Sequence, residues 1–174
     1  MCGMLVLQTC DVEQPEKRLK TSYGSVKLGI TPWRRNAAAF QQRSEEEVMA
    51  AVMQWEQHAH PRAREFFKSD VMLKWVFAQL ISCIDRREDP VFGGSDACVH
   101  WHGSTTADDG VQATLHMVKP GDTATSTTYV NRVLTFIFAN DATFDFLMQL
   151  PKMPFKMRCG NPLCVNVLHI SPAV

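Results

Sequence analysis

The chain has 174 residues, 45% of them hydrophobic, with 18 basic and 18 acidic side chains. This composition supports a buried core and excludes both wholesale disorder and a histone-like polycation. No run of about 18 uninterrupted apolar residues occurs, so no transmembrane helix and no membrane partner is expected.

Residues 1–43 read as an irregular segment, with a short strand at 23–30. The opening apolar run is short and no basic residue precedes it, so a secretory signal is not expected. From Lys17 to Arg43 there are seven basic residues (Lys17, Arg18, Lys20, Lys27, Arg34, Arg35, Arg43) and no acidic one. This stretch can supply phosphate attraction to DNA or RNA. A solvated basic loop and part of an organelle transit peptide are the other readings, and Asp11, Glu13 and Glu16 weigh against the second.

Residues 44–90 read as a helical hairpin. Ser44 followed by Glu45, Glu46 and Glu47 is a capping box, with acids suited to the positive end of the helix dipole. Val48, Val52 and Trp55 then lie on one face. Pro61 fits the first position of a second helix. That helix carries Phe66, Leu73, Val76, Phe77, Leu80, Ile81 and Ile84 as an apolar stripe and is expected to end near Arg87. Asp89-Pro90 through Gly93-Gly94 is turn chemistry and a plausible boundary.

Residues 91–174 form the third part. Segments 97–103 and 111–118 read as two paired strands, and 119–128 as a polar loop. A helix is expected over 129–139 and a shorter one over 142–150, stopped by Pro151. The whole is an α+β chain: a helical hairpin at the N-terminal side and a β-hairpin, helix and loop at the C-terminal side.

The six cysteines stand at 2, 10, 83, 98, 159 and 164. Without an export signal, an intracellular, reducing compartment is expected, where nearby cysteines serve as metal ligands rather than disulfides. Whether that is nucleus, cytoplasm or mitochondrion stays open. Cys159-Gly-Asn-Pro-Leu-Cys164-Val-Asn-Val-Leu-His169 places two thiols and an imidazole at five-residue steps. Those are three donors of the type that binds Zn2+, and a structural site needs a fourth. Cys98, the one other cysteine in this half, is the candidate. Trp101, Phe136, Phe155 and Leu163 are candidates for an apolar wall beside the loop. His100 and His102 would share one strand face and could serve as a surface pair, outer partners of the metal or a substitute ligand.

The pattern resembles the zinc-binding loop of His-Cys box homing endonucleases and of the related zinc-containing HNH (His-Me finger) nucleases. Those families carry a Cys-x-x-Trp-x-Gly strand, matched by Cys98, Trp101 and Gly103. A helix with an Arg-Val pair follows, matched by Arg132-Val133. Then comes a Cys-x-Asn-x-x-Cys-x-Asn-x-x-His loop, matched by Cys159, Asn161, Cys164, Asn166 and His169. The resemblance covers about 97–171 and implies a structural zinc held by Cys98, Cys159, Cys164 and His169. The families place a general-base histidine two residues before the first loop cysteine, and Met157 stands there. They also place a metal-holding asparagine or histidine on a helix after the loop, and five residues follow His169 here.

The functional expectation is a catalytically inactive zinc-binding module for nucleic acid or protein, with Lys152, Lys156 and Arg158 near the loop adding to Lys17, Arg18, Lys20, Lys27, Arg34 and Arg35. An active magnesium-dependent endonuclease with a non-standard base, and a structural subunit of a ribonucleoprotein, are the alternatives. No glycine-rich phosphate loop and no nucleophile motif is present.

Overall fold

A computed structural model describes residues 40–94, 96–106 and 111–171. The expected strand at 23–30 and the basic residues from Lys17 to Arg35 lie outside these. The described residues hold five α-helices and one two-stranded antiparallel sheet, a mixed helix-and-strand architecture.

Helix α1 (Glu45–His58) starts at the capping box read from the sequence. The Ser44 hydroxyl accepts from the Glu47 N–H at 3.3 Å, and the Glu47 carboxylate accepts from the Ser44 N–H at 2.9 Å. Its buried face is Val48, Val52 and Trp55. The single long helix expected after Pro61 is instead two: α2 (Pro61–Phe67) and α3 (Asp70–Ser82). Lys68 adopts a left-handed conformation with φ 53°, which ends α2, and Ser69 starts the next helix. Periodicity could not show this break, because Phe67 and Leu73 stay on the core side across it.

The expected pairing of 97–103 with 111–118 does not form. Strand β1 (Thr114–Val118) pairs with β2 (Thr125–Tyr129), from Thr114 opposite Tyr129 to Val118 opposite Thr125. The second strand thus takes residues expected to be loop. Its sequence Thr-Ser-Thr-Thr-Tyr has no apolar alternation, but its β-branched threonines suit a half-exposed edge. The 97–103 segment turns to the C-terminal loop, as described below.

Helix α4 (Val130–Phe138) follows β2 directly and buries Val130, Val133, Leu134 and Ile137. Helix α5 (Asp141–Met148) is capped by Asn140, which accepts from the Thr143 N–H at 2.9 Å. One hydrophobic cluster runs from Val48 of α1 through Trp55, Phe77 and Leu134 to Val165 beside the loop. Two ring groups pack in and against this cluster, the second reaching the surface at Phe66, 40% exposed. Trp55, Phe77 and Phe138 form one; Phe66, Phe67, Phe136 and Phe144 form the other. No helix among the described residues is long and apolar enough to cross a membrane.

Candidate metal centre

The C-terminal loop is a closed knuckle. At its base Met157 bridges Ile170, the Arg158 N–H donates to the His169 carbonyl at 2.7 Å, and Ser171 donates to Lys156 at 2.8 Å. Gly160 turns the chain at φ 69°, a conformation that a side chain disfavours, and its N–H donates to Met157. The two asparagines of the motif shape the rest. Asn161 accepts from the Leu163 N–H at 3.0 Å and Asn166 from the Leu168 N–H at 2.9 Å, both local side-chain turns. A short 3-10 turn, Val167–His169, then delivers the imidazole.

Cys98 reaches this knuckle by a second set of bonds. His100 bridges Cys164, the Val165 N–H donates to Val99 at 2.8 Å, and the Trp101 N–H donates to Leu163 at 2.9 Å. The Asn166 amide, 1% exposed, donates to the carbonyls of Gly94 (2.7 Å) and Ala97 (2.9 Å). The amide nitrogen of that side chain is therefore committed to holding Gly94 and Ala97 against the loop, while its oxygen closes the turn at Leu168. Trp101 is buried with its indole N–H on the Ser104 carbonyl. A Cβ on Gly103 would fall 2.6 Å from the Trp101 ring, so glycine is required two residues after this tryptophan.

These two sets of bonds bring four donors together. The ligand atoms of Cys98, Cys159, Cys164 and His169 all lie within 4.8 Å of one another. His169 Nδ1 is 3.4 Å from Cys164 Sγ and 3.8 Å from Cys98 Sγ. A tetrahedron with metal–sulfur bonds of about 2.3 Å and metal–nitrogen bonds of about 2.05 Å has S–N edges of roughly 3.6 Å. The observed edges fit, and the four residues could hold a metal ion. His169 and Cys164 are buried, Cys98 is half-buried and Cys159 is exposed.

Electrostatics give the same result. Burial pushes the Cys164 thiol up to about 12. Cys98 is also raised, by burial first and then by the adjacent Cys159. Burial would raise Cys159 too, but the Asn161 N–H and the neighbouring thiols and imidazole outweigh it and hold it below its ordinary value. Crowded sulfurs that resist joint ionisation form a site that wants a cation in place of the protons.

The other sequence-selected residues fall elsewhere. Met157 is buried, 9% exposed, with its sulfur 4.0 Å from the Asn131 amide. Asn131 of α4 also donates to the Phe155 carbonyl at 2.8 Å. Arg132 donates to the Pro151 and Met153 carbonyls, each at 3.0 Å, and lies over the Phe155 ring. The Arg-Val helix thus fixes the approach to the knuckle. His100 and His102 stay outside the donor cluster. The His100 N–H donates to Glu88 at 2.9 Å, and the His102 ring packs on Phe40 at 4.4 Å, where burial lowers its pKa. Phe155 and Leu163 flank the loop as expected, but Phe136 belongs to the ring group with Phe66 and Phe67. Lys152, Lys156 and Arg158 are exposed, and the Arg158 guanidinium donates to the Leu168 carbonyl at 2.7 Å. Sequence reasoning missed the clamp role of Asn166, whose partners lie some 70 residues away.

Set against protein-family profiles, curated protein sequences and solved structures, the chain matches none of them.

Proposed function

We propose that the cluster holds zinc as a structural ion, and that the chain is a non-cleaving binding module whose metal loop resembles that of His-Cys box homing endonucleases. Three thiols and one imidazole in a tetrahedral arrangement are the donor set zinc prefers, and four protein ligands leave no open position for a reacting water. The observation that carries the reading is this convergence of Cys98, Cys159, Cys164 and His169. Met157 supports the non-cleaving half. Where the resembling nucleases place a basic histidine, a thioether is packed against Asn131 and offers no useful basicity.

The module's proposed partner is nucleic acid. Lys152, Lys156 and Arg158 present positive charge around the loop, and the sequence adds Lys17, Arg18, Lys20, Lys27, Arg34 and Arg35.

The decisive experiment combines three readouts on the full chain. Metal analysis is expected to give about one zinc per chain, falling to a small fraction in Cys98→Ser. Plasmid incubated with magnesium is expected to stay uncut. Gel shifts on duplex DNA or RNA are expected to weaken with salt. Neutralising Lys152, Lys156 and Arg158 together should flatten the duplex-DNA salt slope by about 2–3. A protein without metal overturns the zinc reading, turnover of plasmid overturns the non-cleaving reading, and salt-independent or absent shifts overturn the nucleic-acid reading.

A further inference from the structure

Helix α1 has more apolar surface than its core face uses. Val48, Val52 and Trp55 are buried, but Met49 and Met53, one turn apart, stand 54% and 61% exposed. Helix α3 packs beside α1 and adds Val71, 70% exposed, and the half-buried Trp75 at the next turn. The two stripes wall one groove of about 780 Å³ whose lining is mostly apolar. None of its residues belongs to the metal knuckle.

The shape of this groove selects its occupant. It runs along two neighbouring helices for roughly two to three turns, and a furrow between helices receives a single convex ridge. A second copy of the same furrow would leave a void between the two. Flexible methionines flanking a tryptophan suit an inserted helix face, since thioethers adapt to the side chains they meet.

Charge narrows it further. Glu47 pairs with Arg86 at 2.6 Å and Glu56 with Lys74 at 3.3 Å. Glu45 and Glu46 line the groove at the start of α1 and are ion-paired with no basic side chain among the described residues. That leaves one acidic end on a furrow whose other lining is apolar apart from Lys74, which is already paired with Glu56.

We propose that the α1–α3 groove is a docking site for an amphipathic helix of a partner protein, with apolar residues at i, i+3, i+4 and i+7 and a lysine or arginine seated over Glu45 and Glu46. This surface is independent of the metal reading.

The probe is a pair of synthetic 14-residue helical peptides, each with leucines on one such face and either two lysines or two glutamates at one end. With the full chain, the lysine peptide is expected to bind at least tenfold tighter than the glutamate peptide and to gain helical circular dichroism. Met53→Glu is expected to abolish binding while leaving the melting temperature within a few degrees, because Met53 is a surface residue. Reversing both carboxylates, Glu45→Lys with Glu46→Lys, is expected to reverse the peptide preference. The proposal is overturned if neither peptide binds, if charge reversal leaves the preference unchanged, or if sedimentation shows self-association that Met53→Glu disrupts.

Discussion

Asp85 is 4% exposed, and its carboxylate accepts from the Gln41 and Arg87 N–H groups at 3.0 Å each and from the Arg87 guanidinium at 2.8 and 3.0 Å. The Arg87 side chain, with the Arg87 and Gln41 N–H groups adding and burial opposing, holds this carboxyl well below the ordinary carboxylate range. A depressed carboxylate stabilises the fold above its unfolded pKa, near 4, and loses that contribution as pH falls toward the folded value. Asp85→Asn should therefore cost about 2 kcal/mol at pH 7, by loss of charge-assisted bonds. The gap between native chain and variant should narrow below about pH 4, as denaturant melts across pH would show. The four candidate metal ligands give a second acid dependence. Each thiol must lose its proton to bind, so metal affinity should fall steeply as pH is lowered, and dialysis in mild acid should release a bound ion. A metal ion remaining bound at pH 4 would contradict this.

At the level of elements, two arginines do similar work. Arg43 donates to the Ile81 and Ile84 carbonyls at 3.1 and 3.0 Å, at the end of α3. Arg62 of α2 donates to the Phe136 carbonyl at 2.8 Å and to that of Ala139, at the end of α4. Each guanidinium satisfies carbonyls that a helix end leaves open and complements its negative pole. The left-handed Lys68 ends α2 by backbone geometry instead. Lys68→Gly should stabilise the chain by about 1 kcal/mol, because glycine carries no Cβ penalty there. An unchanged or lowered melting temperature would show that the lysine stem contributes packing that outweighs the strain.

The elements also show what a sequence can disclose. The Ser44 box, Pro61 and α4 were legible because their chemistry lies within four residues. The Cys159–Cys164–His169 spacing was legible for the same reason. Strand pairing was not, since 125–129 carries no apolar alternation to mark it as a strand, and the choice of partner falls to tertiary contacts. The arginine caps were hidden too, with Arg62 reaching 74 residues to Phe136.

Across the whole molecule, the core that begins at Val48 ends at Val165, one residue past Cys164. The metal cluster and the helices therefore share a boundary. Chelation should lower the melting temperature of the entire chain, rather than release the tail alone, and circular dichroism at 222 nm should report it. A chelated protein that melts at the native temperature would show the cluster to be dispensable for the core.

The split origin of the four donors also bears on timing. Three of them sit within eleven residues, while Cys98 lies about sixty positions earlier. A metal arriving during folding would be caught by the short knuckle first, with little chain to close, and would capture Cys98 only when the intervening helices and hairpin have packed. Occupancy of the last coordination position would then report completion of the fold. A cobalt-substituted chain should show this as a late change in its visible absorption, after the early signal from the nascent knuckle.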